Sequence, residues 1–271
     1  MRYCRFNQGR LGLVQDDRVY ELAHVPPGDD SVIALLMGVT APETRGAATY
    51  PLEQTILESP IARPGKVVAA PVNYKAHIEE MLRNGQAHGH VLTDVRQAGL
   101  FLKASSSVVG PGQGIAVRFP ERRTDHEIEL CAVIGTRASC VSAADALAHV
   151  AGYCLGLDIT VRGPEDRSFR KSIDSYTVLG PYVVAAAALG DPQRVELELS
   201  VNGEVRQHAN TEDMVHSVAS LIEFASSFYT LEPGDVLMTG TPQGVGPIRA
   251  GDLLVARGSG LGTMEVKVRA A

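Results

Sequence analysis

Two glutamates, separated by one residue, stand in the apolar segment TDHEIELCAVIG, residues 124–135. Side chains two apart on a strand point to the same face, so Glu127 and Glu129 are expected to lie roughly 7 Å apart. Two carboxylates held together in a partly buried environment raise each other's pKa, and a positive charge must compensate them. A hard divalent cation, which prefers oxygen ligands, is the simplest source of that positive charge. Asp158, at the end of the apolar segment GYCLGLDIT, is the best candidate for a third ligand.

A second interpretation of this pair needs no metal. Glu127 and Glu129 would then form the solvent face of an edge strand, where charged side chains are ordinary. The spacing alone is a weak signal. Asp158 strengthens the metal interpretation without excluding the other one.

A histidine and a glutamate stand three residues apart in NYKAHIEEM. The pattern predicts a helix that is capped by Asn73 and ends at Gly85. On a helix His77 and Glu80 share a face. A carboxylate beside an imidazole orients it and raises its basicity, which suits a general base that acts on water. The alternative is an ordinary contact on a surface helix.

The segments that carry these groups are mostly predicted strands, and the chain is predicted to be of the β-rich α+β class. A small N-terminal domain is expected over residues 1–62 and a main domain over 63–271. A hairpin is expected with its turn at Asn202–Gly203. The predicted strands around the candidate residues are KVVAAP, LFLK, EIELCAVIG and AGYCLGLDITV.

Three further segments are predicted around these strands. The segment EDMVHSVASLIEFASSFY has the pattern of an amphipathic helix. Residues 162–176 are rich in charge and are expected to form a loop. Residues 86–98 are polar without a clear period, and we expect a mobile loop and a candidate lid over the site.

The bulk composition excludes several classes of protein. Among 271 residues, 25 Lys and Arg stand against 31 Asp and Glu, which gives a net charge of -6. With no basic stripe, nucleic acid and anionic lipid are unexpected partners. The longest apolar stretch is too short to cross a membrane. The charged first residues lack a signal peptide's apolar core, and the 4 cysteines form no CxxC pair, so we expect a cytoplasmic protein.

Seven motifs, taken in order, resemble the fumarylacetoacetate hydrolase family. They are KVVAAPVNYKAHIEEM, LFLKASSSVVGPG, DHEIELCAVIG, AGYCLGLDITVR, RKSIDSYTVLGP, VNGEVRQ and LEPGDVLMTGTPQGVG. The resemblance extends from about Lys66 to the C-terminus. It implies a mixed β-sandwich or β-roll catalytic domain, a homodimer, and Mg²⁺ (or Mn²⁺ or Ca²⁺) bound by Glu127, Glu129 and Asp158.

The resemblance also implies roles for other residues. His77 and Glu80 would activate water, and Lys171 would stabilise the developing anion. The residues expected to bind substrate are Arg162, Gly240, Thr241, Tyr74 and Lys103. For Lys103 a structural ion pair is an equal alternative.

The segment after Arg162 departs from the family pattern. Gly163 stands where an aspartate is usual, and Glu165 where a glutamine is usual. Arg167 and Arg170 add positive charge to the same segment. This charge suits a dicarboxylate substrate, and a solvated charged loop is the alternative.

The function that these expectations favour is hydrolysis of a C–C bond in a 2,4-dioxo acid, an acylpyruvate such as fumarylpyruvate or a fumarylacetoacetate-like compound. Water activated by His77 and Glu80 would attack the acyl carbonyl, and the metal and Lys171 would stabilise the pyruvate enolate. The alternative within the family is an oxaloacetate decarboxylase, isomerase or tautomerase with the same metal site. A metal-binding or scaffold protein without activity is the alternative from another class.

Overall fold

The computed structural model describes residues 1–83 and 94–271, and strands dominate it, as the sequence predicts. The strands are β1 (Arg2–Phe6), β2 (Arg10–Gln15), β3 (Arg18–Glu21), β4 (Thr49–Pro51), β5 (Leu57–Glu58), β6 (Val67–Ala69), β7 (Phe101–Lys103), β8 (Val108–Val109), β9 (Ile115–Val117), β10 (Thr124–His126), β11 (Ile128–Ile134), β12 (Val150–Asp158), β13 (Thr160–Val161), β14 (Thr177–Ala185), β15 (Glu196–Val201), β16 (Glu204–Asn210), β17 (Val236–Met238), β18 (Gly246–Ile248), β19 (Leu253–Gly258) and β20 (Gly262–Ala270). The helices are α1 (Asp29–Leu36), α2 (Lys75–Arg83), α3 (Val95–Ala98), α4 (Ala143–Ala146), α5 (Arg167–Lys171), α6 (Ala186–Leu189) and α7 (Val218–Phe228). Within the described ranges, no helix combines the length and the apolar character needed to cross a membrane.

A 12-stranded sheet forms the centre of the fold. Its main path runs β4-β3-β2-β1-β14-β12-β11-β17-β6-β7, while β5 pairs with β1 and β8 with β14. Every residue of β11 and β12 is buried, because apolar clusters cover both faces of the sheet. Along β11, Leu130 and Ala132 pack into one cluster, and Cys131 and Val133 pack into the other. The strand that bears Glu129 is therefore interior, with no solvent face.

A second sheet packs against the first and makes the fold a sandwich. Its five strands run in the order β16-β15-β19-β20-β9, and a small three-stranded sheet, β13-β10-β18, stands beside it. Strands β15, β19 and β20 contact β11, β12 and β14 of the large sheet. Leu155 of the large sheet shares a buried cluster with Leu197, Leu254 and Val266 of the second sheet. The predicted mixed β-sandwich is confirmed.

The first strands of the chain continue the large sheet. Strand β1 pairs antiparallel with β14, with Arg2 opposite Val184 and Tyr3 opposite Val183. Main-chain hydrogen bonds thus run from the main domain into residues 1–62. The domain boundary after residue 62 stays a prediction.

Two local predictions are confirmed by the backbone. Asn202 and Gly203 have φ angles of 52° and 84° and connect β15 to β16, as an Asn-Gly hairpin turn requires. The predicted amphipathic helix over residues 212–229 forms as α7, but it begins only after Ser217, whose side chain accepts a hydrogen bond from the Ser220 amide, and residues 211–213 form a 3₁₀ turn. Both elements follow from short-range signals.

The predicted loop over residues 162–176 needs correction, and most of the candidate lid over residues 86–98 lies outside the described residues. The segment 162–176 contains α5, whose first turn is capped because the Asp166 side chain accepts a hydrogen bond from the Ser168 amide at 2.8 Å. Residues 86–93 of the candidate lid lie outside the described residues. The end of that segment forms α3, capped by Asp94.

Candidate active site and metal centre

Three carboxylates from two neighbouring strands meet at one end of the large sheet. Glu127 occupies the break between β10 and β11, Glu129 lies on β11, and Asp158 ends β12. The Asp158 amide donates to the Glu127 carbonyl oxygen at 2.8 Å, which sets the two residues opposite each other. One carboxylate oxygen of each of the three residues lies within 4.8 Å of the others. The side chains are buried, with exposures of 6%, 1% and 1%, so the solvent-face interpretation of the glutamate pair is wrong.

Two buried lysines contact this carboxylate cluster. Lys171 Nζ donates to Glu127 Oε2 at 2.6 Å and also to Asp158. Lys103 donates to the other oxygen of Asp158 and to the carbonyl oxygen of Tyr176 at 2.8 Å. Burial opposes the charged form of Lys171, but Asp158 and Glu127 outweigh burial and raise its pKa. The two ammonium groups hold Asp158 from both sides.

The third carboxylate is compensated differently. Glu129 accepts a hydrogen bond from the Gly240 amide at 2.7 Å and forms no ion pair within residues 1–83 and 94–271. Burial and the neighbouring Asp158 raise the pKa of Glu129 well above its usual value. Burial acts in the same direction on Glu127, but Lys171 and Arg162 outweigh it and lower that pKa to about 2.

The donor set fits a divalent cation. Three carboxylates offer oxygen ligands of the kind that Mg²⁺, Mn²⁺ and Ca²⁺ prefer. In the described part of the chain, Glu129 is buried beside two other carboxylates, accepts its hydrogen bond from a backbone amide and forms no ion pair. A cation between Glu127, Glu129 and Asp158 would supply the missing positive charge.

The predicted His–Glu pair forms and faces the carboxylate cluster. His77 Nδ1 lies 3.2 Å from Glu80 Oε2, and the Gly244 amide donates to both oxygens of Glu80 at 3.2 and 3.1 Å. His77 is the buried residue of α2, while the Glu80 side chain is 28% exposed, so the pair reaches from the interior to the surface. Its imidazole is close enough to Glu127 to help lower the pKa of that carboxyl group. Because Nδ1 faces Glu80, Nε2 remains to act on a ligand.

Asn73 joins the helix of this pair to the loop after β17. Its side-chain amide donates to the carbonyl oxygens of His216 and Thr239, each at 2.9 Å, and accepts from the His216 amide at 2.8 Å. The prediction that Asn73 caps α2 is therefore wrong, because its side chain is used by more distant segments. The consequence is that α2 and Gly240 are held in one arrangement.

Gln207 is a structural partner of the site that the sequence reasoning missed. It donates to Thr241 Oγ1 at 2.8 Å and to the Pro242 carbonyl oxygen at 2.9 Å. Its side-chain oxygen accepts from the Ile128 amide at 3.1 Å. The signal was present, because Gln207 and Ala209 occupy the inward positions of β16, where a glutamine needs partners.

Arg162 contacts protein carboxylates. Its Nε lies 2.7 Å from Asp125 Oδ2, and its Nη2 lies 3.1 Å from Glu127 Oε1. Asp125, another partner that the sequence reasoning missed, is completely buried. Arg162 thus fixes Glu127, and its expected role as a substrate clamp stays a prediction.

Tyr74 brings an unused hydroxyl group to the site. The residue is fully buried, and within the described part of the chain its hydroxyl has no hydrogen-bond partner. Burial and the nearby Glu129 raise the pKa of Tyr74 above its usual value. A buried hydroxyl without a partner is costly, so the Tyr74 hydroxyl is well suited to a ligand.

Gly240 tolerates no side chain, and this gives a first testable prediction. Its φ is +96°, and an added Cβ would lie 2.8 Å from Asn73 Cβ. We expect Gly240→Ala to lower the free energy of unfolding by about 3 kcal/mol, of which roughly 1–2 kcal/mol is the cost of alanine at positive φ. Metal affinity should fall too, because the displaced amide donates to Glu129. Urea denaturation and metal titration measure the two effects.

Gly251 provides the matched control for this substitution. Its φ is +100°, and nothing lies within 4 Å of an added Cβ. Gly251→Ala should therefore show the backbone cost alone, with unchanged metal affinity. Equal losses for both variants would mean that the contact with Asn73 is unimportant.

Comparisons with known proteins agree with this arrangement of strands. A family model described as fumarylacetoacetate (FAA) hydrolase C-terminal matches residues 66–269. A maleylpyruvate hydrolase of Aquipseudomonas alcaligenes is 47% identical over 285 residues, which cover 99% of this chain and 99% of the relative. A mitochondrial oxaloacetate tautomerase of Rattus norvegicus is 34% identical over 213 residues, which cover 77% of this chain and 65% of the relative.

Solved structures extend the likeness to the whole chain. The crystal structure of maleylpyruvate hydrolase from Sphingobium sp. SYK-6 matches with a TM-score of 0.86 and 35% identity, covering 100% of both chains. A second structure of that enzyme, in complex with manganese(II) ion and pyruvate, matches equally well. The resemblance read from the motifs is confirmed by these matches, and the chain belongs to the fumarylacetoacetate hydrolase family.

Proposed function

We propose that this protein is a divalent-metal-dependent hydrolase that cleaves the C–C bond of an acylpyruvate, with maleylpyruvate as the first candidate substrate. The observation that supports this most is the buried cluster of Glu127, Glu129 and Asp158 facing the His77–Glu80 pair. A site for a cation beside a site for a general base is what hydrolysis of a 2,4-dioxo acid needs. The similarity to maleylpyruvate hydrolases over the full chain supports the substrate class.

The histidine and glutamate act on water in this proposal. His77 Nε2 accepts a proton from a water molecule as the water oxygen attacks the acyl carbonyl carbon. Glu80, fixed by the Gly244 amide, holds the imidazole and stabilises its charged form. The bond between the acyl carbon and the methylene carbon then breaks, and the methylene carbon takes the proton held by His77 and becomes the methyl group of pyruvate. The products from maleylpyruvate are maleate and pyruvate.

The pyruvate half of the substrate is handled at the carboxylate cluster. A cation held by Glu127, Glu129 and Asp158 would supply Lewis-acid stabilisation to the oxygens of the 2-oxo acid. Lys171 adds a fixed ammonium charge for the anion that develops as the C–C bond breaks. The hydroxyl groups of Tyr74 and Thr241 donate to substrate oxygens.

The remaining predicted binding residues act through the ligand carboxylates. Arg162 holds Glu127, Lys103 holds Asp158, and the Gly240 amide holds Glu129. Each contact limits how far a carboxylate can turn away from a cation. We assign these three residues to positioning of the metal ligands, and direct contact with substrate is an additional role for Arg162.

The physiological metal, assembly and compartment complete the proposal. Oxygen donors alone suit Mg²⁺, with Mn²⁺ as an active substitute. We propose a homodimer, which sedimentation would test. All 4 cysteines are free, as expected of a protein that works in the reducing cytoplasm.

A proton NMR time course tests the function. Purified protein is supplied with maleylpyruvate and Mg²⁺, Mn²⁺ or EDTA, and we expect metal-dependent formation of equal amounts of pyruvate and maleate. EDTA should lower the rate by at least about a hundredfold, since the cation stabilises the developing charge. Absence of cleavage with either metal would overturn the proposal.

Oxaloacetate in a parallel tube tests the alternative within the family. A relative named as an oxaloacetate tautomerase makes this arm necessary. Formation of pyruvate and CO₂ would indicate a decarboxylase, and keto–enol exchange alone would indicate a tautomerase. Either result without cleavage of maleylpyruvate would move the assignment and leave the metal centre unchanged.

A further inference from the structure

Helix α5 presents two positive side chains toward the same ring. Arg167 and Lys171 are four residues apart, so they lie on one face of the helix, with Cβ atoms roughly 6 Å apart. Lys171 Nζ lies 5.4 Å and Arg167 Cζ lies 5.6 Å from the centre of the Phe101 ring. Phe101 is buried on β7. Arg167 therefore lies one helical turn from Lys171, whose ammonium group contacts the carboxylate cluster, and both side chains point toward the Phe101 ring.

The other cations near the cluster already have protein partners. Arg162 pairs with Asp125 and Glu127, and Lys103 and Lys171 pair with Asp158. Arg170 donates to the carbonyl oxygens of Glu165 and Val161 at 2.8 and 3.1 Å. In residues 1–83 and 94–271, the Arg167 side chain forms neither an ion pair nor a hydrogen bond, and it contacts the face of the Phe101 ring. It is half-buried, so its charge has lost part of its water without gaining a hydrogen-bond acceptor among the described residues.

Glu165 and Asp166, in the same segment, form their hydrogen bonds with groups other than Arg167. Glu165 is engaged by Arg122, with distances of 3.1 and 2.8 Å between its two oxygens and the guanidinium nitrogens. Asp166 caps α5 through the Ser168 amide. A half-buried guanidinium without a carboxylate presents a planar pair of donors that matches an anionic ligand.

We propose that Arg167 binds the distal carboxylate of a dicarboxylate acylpyruvate and thereby selects such substrates over acylpyruvates with an uncharged acyl group. The inference rests on the proposed function, which places the 2-oxo acid at Glu127, Glu129 and Asp158. The acyl half must then extend away from the cluster, and α5 leads from Lys171 toward Arg167. Arg170, in contrast, stabilises the segment through backbone contacts. Arg167 is a specificity residue, separate from the groups that activate water.

Two substrates that differ in the distal carboxylate test this inference. Maleylpyruvate has that carboxylate, and acetylpyruvate lacks it. In the Mg²⁺-loaded enzyme, Arg167→Met should lower kcat/KM for maleylpyruvate about 50-fold, mainly through KM, because a charge-assisted hydrogen bond is lost. For acetylpyruvate the change should stay below about threefold. For Arg167→Lys, kcat/KM for maleylpyruvate should lie between the values of the wild-type enzyme and Arg167→Met, since lysine keeps the charge and loses the planar fork of the guanidinium group.

A product-inhibition measurement gives a second readout. Arg167→Met should weaken inhibition by maleate and leave inhibition by pyruvate unchanged. Arg194→Met is the matched control, because Arg194 is 80% exposed and its ion-pair partner is the exposed Asp191. The ratio of the two kcat/KM values is independent of the fraction of folded enzyme, so partial misfolding of a variant does not obscure the result.

If Arg167→Met lowers kcat/KM equally for both substrates, so that the ratio of the two values is unchanged, the role of Arg167 is overturned. Cleavage of maleylpyruvate by the wild-type enzyme would still support the proposed function in that case. Cleavage of neither acylpyruvate by the wild-type enzyme would overturn the proposed function, and the inference about Arg167 with it.

Discussion

Replacing Glu80 with glutamine is expected to lower kcat about a thousandfold while the affinity for a divalent metal stays unchanged. Glutamine keeps the size of the side chain and can still accept a hydrogen bond from the Gly244 amide. It removes the negative charge that stabilises a protonated His77. The effect should therefore fall on turnover, since neither residue belongs to the three carboxylates proposed as metal ligands.

The same helix offers a matched control for Glu80→Gln. Glu79 is adjacent and exposed, so Glu79→Gln makes the same chemical change away from the site. It should leave kcat within about twofold, as surface substitutions usually do. Metal affinity is measured by calorimetric titration of each variant. Near-normal turnover in Glu80→Gln would exclude water activation by this pair, and lost metal binding would show that Glu80 acts indirectly.

Replacing Asp158 with asparagine is expected to abolish both metal binding and turnover, and to destabilise the metal-free protein by about 3 kcal/mol. Asp158 is the shared partner of two buried lysines. Removing its charge leaves Lys103 with no carboxylate contact in the described part of the chain. A buried, uncompensated ammonium group is strongly unfavourable.

Denaturation of chelated protein separates stability from metal binding in this variant. Asp174→Asn is the control, because Asp174 pairs with Arg118 at an exposed site and should contribute at most about 1 kcal/mol. The double variant Asp158→Asn/Lys103→Met should regain part of the lost stability without regaining metal affinity. No loss of stability in the single variant would mean that the lysines find other compensation.

The residues of the candidate site were largely predictable from the sequence. Carboxylates in apolar segments are costly to bury, so Glu127, Glu129 and Asp158 were conspicuous wherever the fold placed them. Helical spacing identified His77 and Glu80 in the same way. The strands around them followed from alternating and apolar patterns.

The supporting contacts were not predictable because they join distant parts of the chain. Gln207 meets Thr241 across 34 residues, and Asp125 meets Arg162 across 37. No local pattern pairs such positions. Helix α5 was missed for a related reason, since five residues show too little periodicity and its cap is a single aspartate. Arg167 could be noted as a charge, but only the fold shows that it shares the Phe101 ring with Lys171.

The position of β17 in the large sheet has a consequence for how the chain is made. Strand β17 lies between β11 and β6 and pairs with both. During synthesis, the apolar edge of β11 therefore stays open until more than a hundred later residues have emerged from the ribosome. An open edge of this kind is a template for pairing with other chains. We expect nascent chains to expose this edge until β17 has emerged, and truncation before residue 236 should yield aggregated protein.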